Sequence, residues 1–185
     1  MNIKKIANIA LEFTINRLME ILGIIILILG ILLFTSLISY SPEDPNFIFP
    51  ENTEIKNILG FQGSYISDLF FQSIGLISYL IPITFFFTGI NIFRTKDFFL
   101  IIENTFFIIL YTFIGCLFFT AFHEKSFWLT INGNNGFLGN LFEENFVLNA
   151  ISSNEEISYY LLIILILLTF MKSINFKIHI IFNLL

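Results

Sequence analysis

Charge is scarce in this sequence: 12% of the 185 residues are Asp, Glu, Lys or Arg, against 56% that are hydrophobic. A soluble domain carries about 25% charged residues. That deficit, with a mean hydropathy of +0.86, argues against an ordinary water-soluble domain and predicts a membrane protein. Cysteine occurs once, at Cys116 inside an apolar run, which excludes an internal disulfide and says little about redox compartment. A thiol in that setting reads as a small buried hydrophobe. The two histidines, His123 and His179, lie far from Cys116 and from each other, so ligand spacing for a metal is missing and no metal is expected. No Lys follows a Gly, so the phosphate-cradling Gly-Lys-Ser or Gly-Lys-Thr is absent and no nucleotide or other cofactor is expected. A net charge of −5 argues against a nucleic-acid-binding surface. With no nucleophile and base pair in view, an enzyme is not expected either.

What the sequence has is long apolar runs. A bilayer core about 30 Å thick takes roughly 20 apolar residues in a helix. Runs at 21–40, 69–93 and 98–122 meet that length, the third with one charge, Glu103. The run from Ile157 to Met171 is short alone, but Lys172 can snorkel to the headgroups, which extends the fourth span to 157–176. The runs do not alternate apolar and polar residues as barrel strands do. The expected fold is therefore all-α: a polytopic membrane protein of four transmembrane helices over 21–176, with connecting loops at 41–68 and 123–156.

Seven basic residues (Lys4, Lys5, Arg17, Arg94, Lys96, Lys172 and Lys177) fall on one side of these spans, and two (Lys56 and Lys125) on the other. Basic residues mark the cytoplasmic side, so both termini are expected there, with the two long loops periplasmic. Tyr40, Trp128, Tyr159 and Tyr160 sit near the outer span ends, as in an interfacial belt. Residues 1–20 lack the shape of a cleavable signal peptide. Ile3, Ile6, Ala10, Phe13 and Arg17 recur at helical spacing, with Ile9, Leu11 and Leu18 widening the stripe, so 1–20 reads as a cytoplasmic amphipathic segment, with a disordered tail as the alternative.

Inside the spans, Pro82 removes a backbone donor and tends to kink a helix, with a role in shape and packing. Gly75 and Gly89 in span two, and Gly23 and Gly30 in span one, permit close helix approach. Glu103 is the one ionisable residue well within a span boundary; it reads as a headgroup-level residue, with an ion path as the functional alternative. His123 beside Glu124 reads as an exposed pair and His179 as an interfacial tail residue. In the first loop, Ser41, Pro42, Asp44 and Pro45 stop the helix and cap turns, and Gly60 and Gly63 allow tight turns. In the second, Gly133, Gly136 and Gly139 need special backbone angles or close packing. Phe137, Leu138, Leu141 and Phe142 follow as an apolar patch ahead of Glu143 and Glu144, which favours a re-entrant or interfacial turn over a mobile loop.

Together these residues resemble the N-terminal four-helix membrane domain of FtsK/SpoIIIE DNA translocases. Ser39 to Pro45 is similar to that family's Ser-Tyr-Ser-Pro-x-Asp-Pro segment, the most specific piece of the match. Gly60, Gly63, Ser64, Ser67, Asp68, Gln72 and Gly75 resemble its glycine-serine-aspartate pattern. Tyr79 to Pro82 is similar to its mid-helix proline, and Gly133 to Gly139 to its glycine-rich loop. The resemblance runs over about 20–175. It implies a septal membrane anchor in the bacterial inner membrane, acting in cell division and chromosome segregation through oligomerisation and contacts with other division proteins, densest at the two outer loops. The family continues into an ATPase motor, so ATP is expected to belong to that motor, and the tail 177–185 is expected to be truncated before it. The partners expected of this chain are the lipid bilayer, further copies of itself and division proteins, with no nucleic acid. A free-standing four-helix division scaffold and a small transporter or channel subunit are the alternatives.

Overall fold

The computed structural model describes residues 3–45, 54–126, 128–129, 131–142 and 146–176, with side chains from residue 8 onward except that of Phe146. The tail 177–185 with His179 and Lys177, the pair Glu143 and Glu144, and the side chains of Ile3 to Ala7, with Lys4 and Lys5 among them, lie outside the described residues. All regular structure among the described residues is helical. Four stretches are long and apolar enough to cross a membrane: Asn8–Ile38, Gly60–Thr95, Phe99–Phe122 and Glu155–Ser173.

Helix α1 runs unbroken over Ile3–Ile38, so residues 3–20 continue into span one without leaving the helix. The second crossing is composite: α2 (Gly60–Ile74), a 3₁₀ turn (Gly75–Tyr79) and α3 (Leu80–Thr95). Residues 60–68, expected in the first loop, are already helical, because Gly63, Ser64, Ser67 and Asp68 turn inward and are buried. The break in this crossing lies at Gly75, whose φ of +66° only glycine adopts freely, and not at Pro82. Pro82 sits in the first turn of α3, where a missing N–H is tolerated. At its far end α3 closes on Lys96 in the left-handed region (φ 59°), with the Lys96 N–H on the Ile92 carbonyl at 2.8 Å. Asp97 then accepts from the Phe99 N–H (2.9 Å) and opens α4 (Phe99–Phe122). The second long connection carries α5 (Gly136–Asn140) and α6 (Phe146–Ser152) before α7 (Glu155–Ser173). Acidic Glu155 and Glu156 in the first turn of α7, and Lys172 in its last, suit the helix dipole.

The crossings pack as two antiparallel pairs, α1 with α3 and α4 with α7. In the first pair the backbones nearly touch. A Cβ on Gly23 would stand 2.8 Å from the Gly89 carbonyl, one on Gly89 2.6 Å from the Gly23 carbonyl, and one on Gly30 2.9 Å from the Phe86 nitrogen. The second pair is filled by large side chains around Phe118, Ile151 and Leu162. Neutral polar groups join the pairs. Thr84 Oγ1 lies 3.2 Å from the Tyr111 hydroxyl and 2.9 Å from Ser173 Oγ, and Asn104 Nδ2 donates to Thr88 Oγ1 at 2.7 Å. Asn91 and Asn104 both donate to Asn175 Oδ1, at 3.2 and 3.0 Å, and so fasten the end of α7 to α3 and α4.

Because the α1–α3 crossing leaves no room for a methyl group, Gly89→Ala forces the helices apart at an expected cost of about 1–3 kcal/mol. Thermal unfolding in detergent, followed by the emission of Trp128, is expected to shift downward; an unchanged midpoint contradicts the close crossing.

Candidate functional site: the outer connections

At the end of the bundle that holds both long connections, small and polar residues build one lattice. Helix α1 stops at Ile38, and the Asp44 N–H closes a turn on the Ser41 carbonyl at 3.2 Å. This turn aims the buried Asp44 carboxylate back at the chain: Oδ1 accepts from the Lys56 N–H (2.8 Å) and Oδ2 from the Asn57 N–H (2.9 Å). One carboxylate thus clasps both ends of the first connection. Its neighbour Pro45 is also buried, and the Pro45 carbonyl accepts from Ser64 at 3.0 Å. Pro42 is exposed, so its ring serves the turn and not the core. Outside the lattice, exposed Lys56 pairs with Glu43, and this holds the Glu43 carboxyl below its usual range.

Asn57 carries the clasp inward. Its Nδ2 donates to the Ser36 carbonyl (2.9 Å) and its Oδ1 accepts from the Leu59 N–H (3.0 Å). Ser36 donates in turn to the Gly63 carbonyl at 2.6 Å. Gly63 is a packing glycine: a Cβ there would meet Asn57 Oδ1 at 2.1 Å. Gly60 is a conformational one, with φ +65° and nothing within 4 Å of a Cβ.

Asp68 links this half to the second connection. It is buried, and its Oδ1 accepts from the Tyr40 hydroxyl (3.1 Å) and from Gln72 (3.4 Å). Burial, with the Asp68 carboxylate beside it, pushes the Tyr40 phenol far above its ordinary range, so Tyr40 stays a neutral donor. Tyr40 and Trp128 both pack on Phe71, with ring centroids 4.8 and 5.3 Å from it. Gln72 passes the connection on, since both its side-chain and main-chain oxygens accept from Asn132 at 3.1 Å.

The glycine turn of the second connection docks on the break in the second crossing. The Leu76 N–H donates to the Asn134 carbonyl at 2.9 Å. A Cβ on Gly75 would stand 2.0 Å from that carbonyl, and one on Gly136 (φ +65°) 2.5 Å from the Gly75 nitrogen. Gly75 therefore admits loop backbone, not the partner helix expected there. Gly133 (φ +67°) brings the turn against the Glu124 carbonyl, and Gly139 fits over Asn135 and Thr120. Asn134 ties the turn to the end of α4 through the His123 (2.9 Å) and Lys125 (3.0 Å) carbonyls. Phe142 then lies against Phe113, with ring centroids at 6.2 Å. Phe113 is about 13 Å inside the end of α4, so the segment folds back along that helix. Leu138 and Phe142 pack on the core, while Phe137 and Leu141 face outward.

The structure thus joins Ser41, Asp44, Pro45, Gly60, Gly63 and Asp68 in one cluster and Gln72, Gly75, Gly133, Gly136 and Gly139 in a second, bridged by Asp68 and Gln72. Pro82 stands apart, beside Gly30 in the α1–α3 crossing. Ser36, Asn57, Asn132, Asn134 and Asn135 are equally part of the lattice and escaped the sequence reading; the run Asn132-Gly-Asn-Asn-Gly136 is the signal that marks three of them. Four buried polar atoms have no hydrogen-bond partner among the described residues: Ser78 Oγ, Asn104 Oδ1, Thr112 Oγ1 and Asn135 Oδ1. Nothing in the lattice makes a nucleophile with its base, and no group of three or more His, Cys, Asp or Glu placed to hold a metal ion occurs among the described residues. Glu103 is exposed on the outer surface of α4, and His123 and Glu124 are exposed as a pair.

The geometry separates two kinds of glycine. Gly75→Ala combines an adverse φ with a backbone collision, whereas Gly60→Ala meets only the backbone penalty, about 1–2 kcal/mol. Gly75→Ala is expected to abolish the folded bundle or red-shift Trp128 emission, with Gly60→Ala still folded; equal effects contradict the docking of the turn on Gly75. Asp44→Ala is expected to cost about 1–3 kcal/mol by orphaning two N–H groups, read as a lower unfolding midpoint, with Asp44→Asn intermediate because one acceptor oxygen remains.

Residues 16–183 match the family model described as the 4TM region of DNA translocase FtsK/SpoIIIE. The chain is 33% identical over 82 residues to the DNA translocase FtsK of Rickettsia prowazekii (strain Madrid E), a stretch that covers 43% of this chain and 11% of that protein. It is 32% identical over 77 residues to that of Rickettsia bellii (strain RML369-C), covering 42% of this chain and 10% of the relative. The chain therefore aligns with about a tenth of the length of these curated relatives. No solved structure matches it.

Proposed function

The chain belongs to the family of 4TM regions of the DNA translocases FtsK/SpoIIIE, and on that basis we propose that it is the membrane anchor of a septal DNA translocase, acting in cell division and chromosome segregation. In this reading both termini face the cytoplasm, in keeping with seven of nine basic residues at that end. The two long connections face the periplasm of a bacterial inner membrane. The anchor works as a homo-oligomer through helix packing, meets other division proteins through its outer connections, needs no cofactor, touches no nucleic acid and makes no bonds itself. ATP hydrolysis and DNA pumping are work for other parts of the full-length relatives.

The observation that carries the reading is the overlap of two sets of residues. Those that resemble the family pattern (Asp44, Gly63, Asp68, Gln72, Gly75 and Gly136) are among the residues that fix the outer connections to the bundle. Connections tied to the bundle in this way suit a docking platform better than a pore. An ion path is disfavoured because its one candidate, Glu103, is exposed on the outside of α4.

A fusion of the chain to a fluorescent protein that matures only in the cytoplasm, placed at the C-terminus and expressed in dividing bacteria that lack their own translocase membrane domain, tests both topology and place. The expected result is a fluorescent band at midcell. A dark fusion overturns the orientation, and uniform membrane fluorescence overturns the septal assignment.

A further inference from the structure

We propose that the pocket in the second connection lined by Glu124, Ser126, Asn132, Gly133 and Asn140 binds a basic side chain, arginine or lysine, presented by the periplasmic part of a partner protein. The proposal deepens the docking-platform reading above, on which it rests, by naming the place and the chemistry of the contact.

The pocket has a volume of about 320 Å³ and lies where the chain passes from the end of α4 to α5. That is the small end of the range for ligand pockets. Leu129 and Ile131 contribute apolar surface, and the rest of the lining is polar. Acceptor oxygens stand free in it. Asn132 spends its Nδ2 on Gln72, and its Oδ1 has no partner among the described residues. The Glu124 side chain is exposed and joins no ion pair or hydrogen bond among the described residues.

The decisive group is Asn135, which is 0% exposed. Its Nδ2 donates to Thr120 Oγ1 at 3.2 Å and to Asn140 Oδ1 at 2.7 Å, while its Oδ1 accepts nothing among the described residues. A buried amide oxygen without a donor is costly and calls for one. This oxygen sits behind Gly133 in the pocket wall. A Cβ on Gly133 would stand 2.9 Å from Asn135 Oδ1 and 2.5 Å from the Glu124 carbonyl. Two oxygens therefore converge on the bare side of a glycine that lines the pocket.

The surroundings fix the sign of the occupant. The outer connections, residues 41–68 and 123–156, hold ten acidic residues and two lysines. Lys56 is already paired with Glu43, so Lys125 at the pocket is the one lysine left. An acidic partner segment meets like charge here, and a basic one is steered in. A guanidinium carries five donors and no acceptor, and an ammonium three. Either complements a carboxylate and several amide and main-chain oxygens at once. Charge alone selects no place on this face; the unpartnered oxygen of Asn135 does.

The probe is a fluorescein-labelled octapeptide that alternates glycine with arginine, titrated by anisotropy against the full chain in non-ionic detergent. Versions with glutamine or glutamate in place of arginine are the controls. The arginine peptide is expected to bind about tenfold more tightly than the glutamine peptide, and the glutamate peptide not to saturate. Glu124→Gln is expected to weaken the arginine peptide about fivefold. Ile131→Arg, which offers the pocket a guanidinium of its own, is expected to weaken it about as much. Glu156→Gln and Phe137→Arg make the same changes of charge at exposed positions that do not line the pocket, and are expected to stay within about twofold of the unmodified chain. Equal affinity for the arginine and glutamine peptides, or equal losses in the pocket variants and their controls, overturns the pocket. Cys116 is buried, so Glu124→Cys can be labelled alone in spheroplasts with a membrane-impermeant maleimide. Labelling from outside without a peptide preference removes the pocket and leaves the platform reading. Labelling only after the membrane is opened removes the outward-facing connections, and the pocket with them.

Discussion

The contact on which the outer half of this protein depends is one hydrogen bond between main chains, from the Leu76 N–H to the Asn134 carbonyl. Within a bilayer an irregular stretch of backbone survives only where protein satisfies its polar groups. The second crossing breaks at Gly75, and the second connection contributes a glycine turn that enters the bundle; each is the other's solvent. The three glycines at the meeting, Gly75, Gly133 and Gly136, all have positive φ, and at each a side chain would collide with a neighbouring main chain. This mutual fit sets where Asn132 and Gln72 meet, and hence how the second connection is tied to Asp68, Tyr40 and the first.

The rest of the bundle divides the labour between two modes of packing. The α1–α3 pair gains its contact from missing side chains, which lets dispersion act between backbones. The α4–α7 pair fills its gap with rings such as Phe118, Phe122 and Tyr159, the last with its centroid 5.3 Å from that of Phe118. Among lipid tails apolar burial gives no preference for helix over lipid, so fit within each pair and hydrogen bonds between pairs are what remain to define the arrangement. The bonds of Thr84, Thr88 and Asn104 with Tyr111, Ser173 and Asn175 supply the second.

The four crossings were legible in the sequence because each is a run of apolar residues, and hydropathy sums over a run. Details that depend on one residue's direction were less so. Pro82 was the obvious candidate for a kink, yet the chain bends at Gly75, because a proline in a first turn costs little whereas a glycine facing an incoming loop permits a conformation no other residue tolerates. The start of α2 was hidden by its polar inner face, where Ser64, Ser67 and Asp68 read as loop until their buried partners are known. A preference for a re-entrant or interfacial turn over 133–142 could be drawn from three glycines ahead of an apolar patch, but its seat could not, since Asn134 and Leu76 are far apart in sequence. Of the lattice, the residues with a family likeness were in view; of those that complete it, Asn132, Asn134 and Asn135 are marked only by their glycine-asparagine run, while Ser36 and Asn57 carry no signal beyond being polar.

The seam between the two helix pairs, Thr84 with Tyr111 and Ser173, and Thr88 with Asn104 and Asn175, is built from hydroxyl and amide groups without a formal charge. A transmembrane voltage does work of about 2.3 kcal/mol per 100 mV on each elementary charge that moves across the bilayer, and on neutral groups it has almost no purchase. Cells energise and de-energise their inner membranes, and proteins that respond do so through charges placed within the field. This seam offers none, so a change of voltage finds no charge there by which to pull the two pairs apart.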